Sequence, residues 1–335
     1  MNASFIQRKK EFGKCAFLGG FGPFKKYKGN PILSTNGNHW ESHAVFNPSA
    51  WTDGEKIYLL YRAQGHQKGS KGTFISRIGL AESEDGINFK RKLVPIIEPT
   101  EIYEKEGGCE DPRLVHINDT FYLTYTAYDG ETARLAMAMS SDRDLYKWKK
   151  LGLVFTDTQL SKLQKSNMPK GWSKSGAIYR EQIENKYWMF FGDDHIWGAT
   201  SRDLRNWEII KKPILSPRHG LFDAYLVEPG PPPILFNDNG STYKQCLWLG
   251  YNGARMKRDG ELIYSFGYAL LDPTNPSKII ERCKRPLLEP STIDEINGQV
   301  PNVVFGEGLA KFKGKYFLYY GMADSHIGVA IADAY

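Results

Sequence analysis

Hydrophobic and polar positions alternate over short stretches of this chain, and five of those stretches share one aromatic-rich strand pattern. They are EKIYLLYR at Glu55 to Arg62, DTFYLTYTA at Asp119 to Ala127, NKYWMFFGDD at Asn185 to Asp194, YKQCLWLGYNG at Tyr243 to Gly253 and GKYFLYYGMAD at Gly314 to Asp324. Successive copies lie roughly 60 to 70 residues apart, a period that marks a radial array of small antiparallel sheets. Most copies are followed by a second short strand with small residues, as in IGLAESEDGINF, RLAMAMSSDRDLYKW, IWGATSRDLRNW and IGVAIADAY. Each unit has room for four strands of about five residues, so the pattern predicts an all-β fold, a five-bladed β-propeller. Function on such a ring belongs where the blades converge.

The same reading divides the chain into a lead-in arm over residues 1–45, rich in Gly and basic residues, and a propeller over 46–335. Thr156 to Trp172 (TDTQLSKLQKSNMPKGW) breaks the strand pattern and reads as a loop between blades. Ser216 to Pro233 is also irregular and ends in Pro-Gly-Pro-Pro-Pro. Proline cannot donate to a ladder, so that run belongs where a strand begins or on the rim. No helix is strongly signalled.

Composition removes whole classes of function. The 335 residues carry 44 basic and 38 acidic side chains, a net charge of +6 with the signs interspersed. That is too mild and too mixed for a nucleic-acid or membrane surface. Cys15, Cys109, Cys246 and Cys283 are widely spaced with no CxxC pair, which argues against a zinc site or a disulfide framework. No apolar run approaches the roughly 20 residues of a membrane span. Arg8, Lys9 and Lys10 precede EFGKCAFLGGFGPF, a stretch interrupted by Gly and Lys that makes a poor signal-peptide core. A cytoplasmic enzyme is the expectation, or an exported one if a leader has been removed.

The chemically richest patch is GGCEDPR at Gly107 to Arg113, just before the second aromatic strand. Adjacent residues of an extended segment point to opposite sides, so one of Glu110 and Asp111 faces a cavity while the other is free to pair with an Arg. On its own the patch reads equally as a salt-bridged turn. The other strand ends tip the balance, because Arg62, Asp193, Asp194, Asn252 and Asp324 would gather near the same funnel. His195 follows the two aspartates and is as readily a structural donor as a substrate contact.

EDPR followed by a Tyr-rich strand, GPPP at Gly230 to Pro233, and YYGMADSHIGVA at Tyr319 to Ala330 together resemble glycoside hydrolase family 130, from FNPSAW at Phe46 to Trp51 through to the C-terminus. The resemblance implies a five-bladed propeller that cleaves β-mannosides with inversion, by phosphorolysis or by hydrolysis, without metal or cofactor. It implies that Asp111 is the general acid, its proton reaching the glycosidic oxygen through a hydroxyl of the mannose. It further implies that Asn47, Arg62, Arg113 and Asp324 sit in the segments holding the sugar before the cleaved bond. The expected partner is a small oligosaccharide, with homo-oligomerisation left open.

Charge bears on the nucleophile. The phosphorylases resembled here carry an Arg after the third aromatic strand, a Lys before GPPP and a His in a Tyr-His-Gly of the fourth strand. This chain has Gly192-Asp193-Asp194, Leu226-Val227-Glu228 and Tyr251-Asn252-Gly253 at those places. Phosphate needs fixed cations and donors, and the carboxylates that replace them repel it. An inverting hydrolase instead needs a carboxylate base opposite its acid, with room for a water. Glu228 and Glu307 are the candidate bases, each beside Gly or Pro, with Glu228 slightly ahead. The sequence expectation is therefore an inverting β-mannoside hydrolase, most simply on β-1,2 linkages. A phosphorylase drawing cations from Lys174, Arg180 or Arg202 is the alternative, and a non-catalytic carbohydrate-binding propeller is the more distant one.

Overall fold

The computed structural model of the chain describes residues 22–66, 74–161, 163, 170–237 and 245–334. Arg8, Lys9, Lys10, Cys15, Tyr243 and part of the Thr156 to Trp172 stretch lie outside those residues. The strands assemble into the five-bladed propeller that the repeat predicts. Blade one consists of β2 (Ala44–Thr52), β3 (Ile57–His66), β4 (Phe74–Ser83) and β5 (Lys90–Arg91). Blade two consists of β6 (Gly108–Ile117), β7 (Thr120–Tyr128), β8 (Ala133–Ser140) and β9 (Lys149–Leu153). Blade three has β10 (Ala177–Ile178), β11 (Tyr187–Phe191), β12 (Trp197–Ser201) and β13 (Glu208–Ile209). In blade four the inner edge is split into β14 (Leu226–Pro229) and β15 (Ile234–Asn237), both paired to β16 (Gln245–Met256), followed by β17 (Leu262–Leu271) and β18 (Ile279–Arg282). The proline run joins those two short strands, where no ladder donor is needed. Blade five has β19 (Val304–Phe312), β20 (Lys315–Met322) and β21 (His326–Asp333), and β1 (Lys25–Lys26) adds to its outer edge by pairing with Ile331 and Ala330.

The repeats read as aromatic runs because every blade is sandwiched between two others. Along β3, Leu59, Tyr61 and Ala63 face the cluster shared with blade five, whereas Leu60 faces the cluster shared with blade two. Both faces therefore demand apolar side chains. Four buried tyrosines keep their hydroxyls paired to acids: Tyr61 donates to Glu41 at 2.9 Å, Tyr125 to Glu104 at 2.7 Å, Tyr251 to Asp223 at 2.7 Å and Tyr320 to Glu295 at 2.9 Å. Each acid in turn pairs with a cation, namely Arg91, Lys150, Arg218 with Arg282, and Lys26. The third blade carries Phe191 at the corresponding place and has no hydroxyl to satisfy. Such Tyr–acid–cation latches satisfy polar groups that would otherwise be costly to bury.

Two four-residue helical turns, Asp157–Leu160 and Ile293–Ile296, were not signalled by any apolar period. A capping box closes each, from Thr156 with Gln159 and from Thr292 with Glu295.

Candidate active site

The innermost strand of each blade runs toward the ring centre, and departures from regular pairing occur where the candidate residues sit. The β2–β3 register shifts between Phe46 and Pro48, the β6–β7 register between Glu110 and Arg113, and the β19–β20 register between Gly306 and Gly308. Those bulges hold Asn47, Asp111 and Glu307. Asn47 and Asp111 adopt left-handed backbone, with φ of 46° and 47°. A bulge re-aims the side chain it contains, and a non-glycine residue with positive φ is a costly conformation that surrounding structure must enforce. Ser175 just before β10 and Asp324 after β20 share it, with φ of 58° and 51°.

Asn47 and Asp111 join Arg62, Lys174, Glu228 and Asp324 around one cavity of about 140 Å³, completed on an apolar side by Tyr264, Val300, Val303 and Phe305. Asp111 accepts from Asn47 Nδ2 at 3.0 Å and from Arg62 Nη1 at 3.2 Å. Arg62 also donates to Glu110 at 2.5 Å and, through Nε, to Ser76 at 3.0 Å. The simple alternation expected for Glu110 and Asp111 is thus broken by the bulge, and one guanidinium reaches both carboxylates. Burial pushes Asp111 up, but Arg62, Lys174 and the Asn47 donor outweigh it and hold the carboxyl below its ordinary value.

Glu228 behaves in the opposite way. Burial pushes it up to about 7, with Asp193 adding repulsion against the pull of Lys174 and Arg113. Its Oε1 accepts a short hydrogen bond from Ser175 Oγ. Burial likewise raises Asp324 to about 6, against the charge of Arg62. Lys174 loses solvation by burial, yet Glu228, Asp111 and Asp193 surround it and raise its ammonium above the ordinary range. Asp193 is pushed up by burial and accepts from Trp172 Nε1 at 2.9 Å. The cavity therefore holds one carboxyl held below its ordinary value and one that burial raises to about 7.

Several candidates lie elsewhere. Arg113 is 2% exposed and spends its guanidinium on backbone carbonyls, so it does not reach the cavity as a sugar ligand. Glu307 is fully buried and is not among the cavity residues, which removes the contact with water that a base requires. Asn252 is spent on Gly306, donating to its carbonyl at 3.0 Å and accepting from its amide at 2.8 Å. Asp194 pairs with His195 Nδ1 at 3.1 Å, and neither lines the cavity. Of the three alternative cations, only Lys174 is at the centre; Arg180 and Arg202 line separate outer clefts. Ser175 and Tyr264 are the additions the structure makes, and Lys174, expected only as an alternative cation, is placed at the centre. The available signal for Lys174 and Ser175 was positional, as SKSGA precedes the inner strand of blade three where EDPR supplies that of blade two.

Carboxylates and cations from several blades thus meet in one central cavity. The sequence model of glycoside hydrolase family 130, described as β-1,4-mannooligosaccharide phosphorylase, matches residues 23–334. Two proteins of Thermoanaerobacter sp. (strain X514) are similar throughout. The chain is 37% identical to a β-1,2-mannobiose phosphorylase, covering 90% of this chain and 95% of that one. It is 35% identical to a 1,2-β-oligomannan phosphorylase, covering 92% and 97%. Among solved structures, a glycosyl hydrolase from Bacteroides ovatus superposes with a TM-score of 0.80 at 33% identity, covering 94% and 96%. Another superposes with a TM-score of 0.80 at 34% identity, covering 93% and 94%; it was reported with the statement that this family of mannoside phosphorylases contains glycoside hydrolases that target β-1,2 mannosidic linkages in Candida mannan. The chain belongs to glycoside hydrolase family 130, and it is a mannoside-processing enzyme.

Proposed function

We propose that this enzyme cleaves short β-1,2-linked mannosides with inversion, Asp111 serving as general acid and Glu228 as the base that activates water. The observation that carries the reading is the convergence of Asp111, from the inner strand of blade two, and Glu228, from that of blade four, on one cavity with Lys174. The β-1,2 linkage is supported by the names of the similar proteins. In the hydrolytic step Glu228, ionised, takes a proton from water as the water oxygen bonds to C1, and Asp111, protonated once bound sugar shields it from solvent, gives its proton to the departing glycosidic oxygen. Sugar filling the cavity excludes water and so adds to the burial that already pushes Asp111 up, the direction an acid needs.

Water is favoured as nucleophile by charge. Of the two cations lining the cavity, Arg62 is taken up by Glu110 and Asp111, and Lys174 stands among carboxylates. A phosphate dianion there would face Asp111, Glu228 and Asp324. Phosphorolysis is the second reading, and by comparison alone it is the better supported, because both similar Thermoanaerobacter proteins are named phosphorylases. Lys174 is the cation it would use. Incubation with β-1,2-mannobiose with and without phosphate separates the two: free mannose without phosphate supports hydrolysis, and mannose 1-phosphate formed only with phosphate supports phosphorolysis.

A further inference from the structure

We propose that Arg113 and Glu307 form a buried strut beneath the cavity that fixes the backbones of Asp111 and Glu228 relative to one another, making both of them positioning residues. The inference rests on the roles assigned above to Asp111 and Glu228. A single guanidinium donates from Nη1 to the Asp111 carbonyl at 3.2 Å, from Nη2 to the Pro229 carbonyl at 2.7 Å and from Nε to the Gly230 carbonyl at 3.0 Å. Pro229 directly follows Glu228. The planar fork of Arg thereby grips the chain that bears one reacting carboxylate and the chain that bears the other, which the point charge of Lys cannot reproduce.

A guanidinium removed from water needs a counter-charge. Glu307 lies 3.6 Å from Nη1 with neither side chain exposed; burial pushes its carboxyl up, and Arg113 is the main charge pulling it back toward the ionised form. Among the described residues neither carboxylate oxygen of Glu307 has a hydrogen bond, and Arg113 is its ion-pair partner. The third chain of the floor is locked as well. Asn252, which pairs with Glu228 across β14 and β16, clamps both backbone groups of Gly306, next to Glu307. These strands approach so closely that a Cβ on Gly230 would lie 2.9 Å from the Gly306 carbonyl oxygen. Buried charge here has a geometric use, since misplacing a catalytic group by about 1 Å costs on the order of a hundredfold in rate.

The test is kinetic and crystallographic, on Glu307→Gln and Arg113→Lys in the full chain. With β-1,2-mannobiose, both variants are expected to lose about tenfold to a hundredfold in kcat while KM stays within about threefold, as befits groups that do not touch sugar. Azide is not expected to restore Glu307→Gln, because it replaces a base and leaves the acid misplaced. Crystal structures of the variants should show the backbone at Asp111 or at 228–230 displaced. Restoration of Glu307→Gln by azide, with α-mannosyl azide as product, would make Glu307 the base and overturn the strut. A rise in KM at unchanged kcat in Arg113→Lys would overturn it in favour of sugar binding. Should the wild type cleave no β-mannoside, the proposed function falls, and the crystal structures alone decide the strut: an unmoved backbone in both variants refutes it.

Discussion

Replacing Glu228 by Gln should disable the enzyme and at the same time stabilise it at alkaline pH. Gln retains an oxygen to accept from Ser175, so the local packing survives. What disappears is a carboxylate that burial holds up at about 7 instead of 4.5. Because the folded state keeps its proton longer than the unfolded chain, the wild type loses stability as pH rises from about 4.5 through about 7, and it carries the full penalty above that window. At about 1.4 kcal/mol for each pH unit, the gap sets an upper bound of about 3 kcal/mol. Glu228→Gln lacks this penalty, so its Tm should exceed that of the wild type by a few degrees at pH 8 and match it at pH 4. Its turnover should fall by about a hundredfold to ten-thousandfold, the usual contribution of a general base, or about 3 to 5 kcal/mol of barrier. The wild-type rate should drop as pH falls below about 7, where Glu228 gains its proton, and the variant's residual rate should lack that limb. Thermal scans at the two pH values and a pH profile of mannose release make the check. A variant Tm no higher at pH 8 than the wild type's would refute the electrostatic reasoning, and turnover reduced less than about tenfold would remove Glu228 as base.

Further outcomes follow from the same geometry. Asp111→Asn keeps the size of the side chain but has no proton to give, so kcat on β-1,2-mannobiose should fall about a hundredfold or more; near-full activity would place the acid elsewhere. Lys174→Met removes the main charge that pulls Glu228 down, so the acidic limb of the pH profile should move to higher pH, and an unmoved limb would sever that link. Asn252→Ala leaves the Gly306 amide and carbonyl without their clamp, which should lower unfolding free energy by about 1 to 3 kcal/mol in a denaturant titration.

The ring was legible because each blade repeats one aromatic strand, and burial between neighbours writes that strand into the sequence as a recurring run such as YLLY or YFLYY. Asp111 and Glu228 were legible as carboxylates placed beside Pro or Gly at strands converging on the centre. Backbone conformation was not. Nothing in FNPSAW or CEDPR states that Asn47 and Asp111 adopt positive φ, and that bulge is what lets Arg62 bridge Glu110 and Asp111. Ser175 escaped, and Lys174 was named only as an alternative cation, because the inner strand of blade three is only Ala177–Ile178, too short for a period to register. Arg113, Glu307 and Asn252 illustrate the opposite case. Charge or polarity near the centre suggested sugar contact for Arg113 and Asn252 and base chemistry for Glu307, whereas burial pairs them with backbone groups and with one another, a distinction that depends on long-range packing.

Inverting cleavage of a β-1,2-mannoside by water is read out by time-resolved proton NMR of β-1,2-mannobiose digestion in phosphate-free buffer. α-Mannose should appear first from the non-reducing unit, before mutarotation, at a rate that added phosphate does not increase. Cleavage that begins only when phosphate is supplied, with α-mannose 1-phosphate as the product, would contradict cleavage by water.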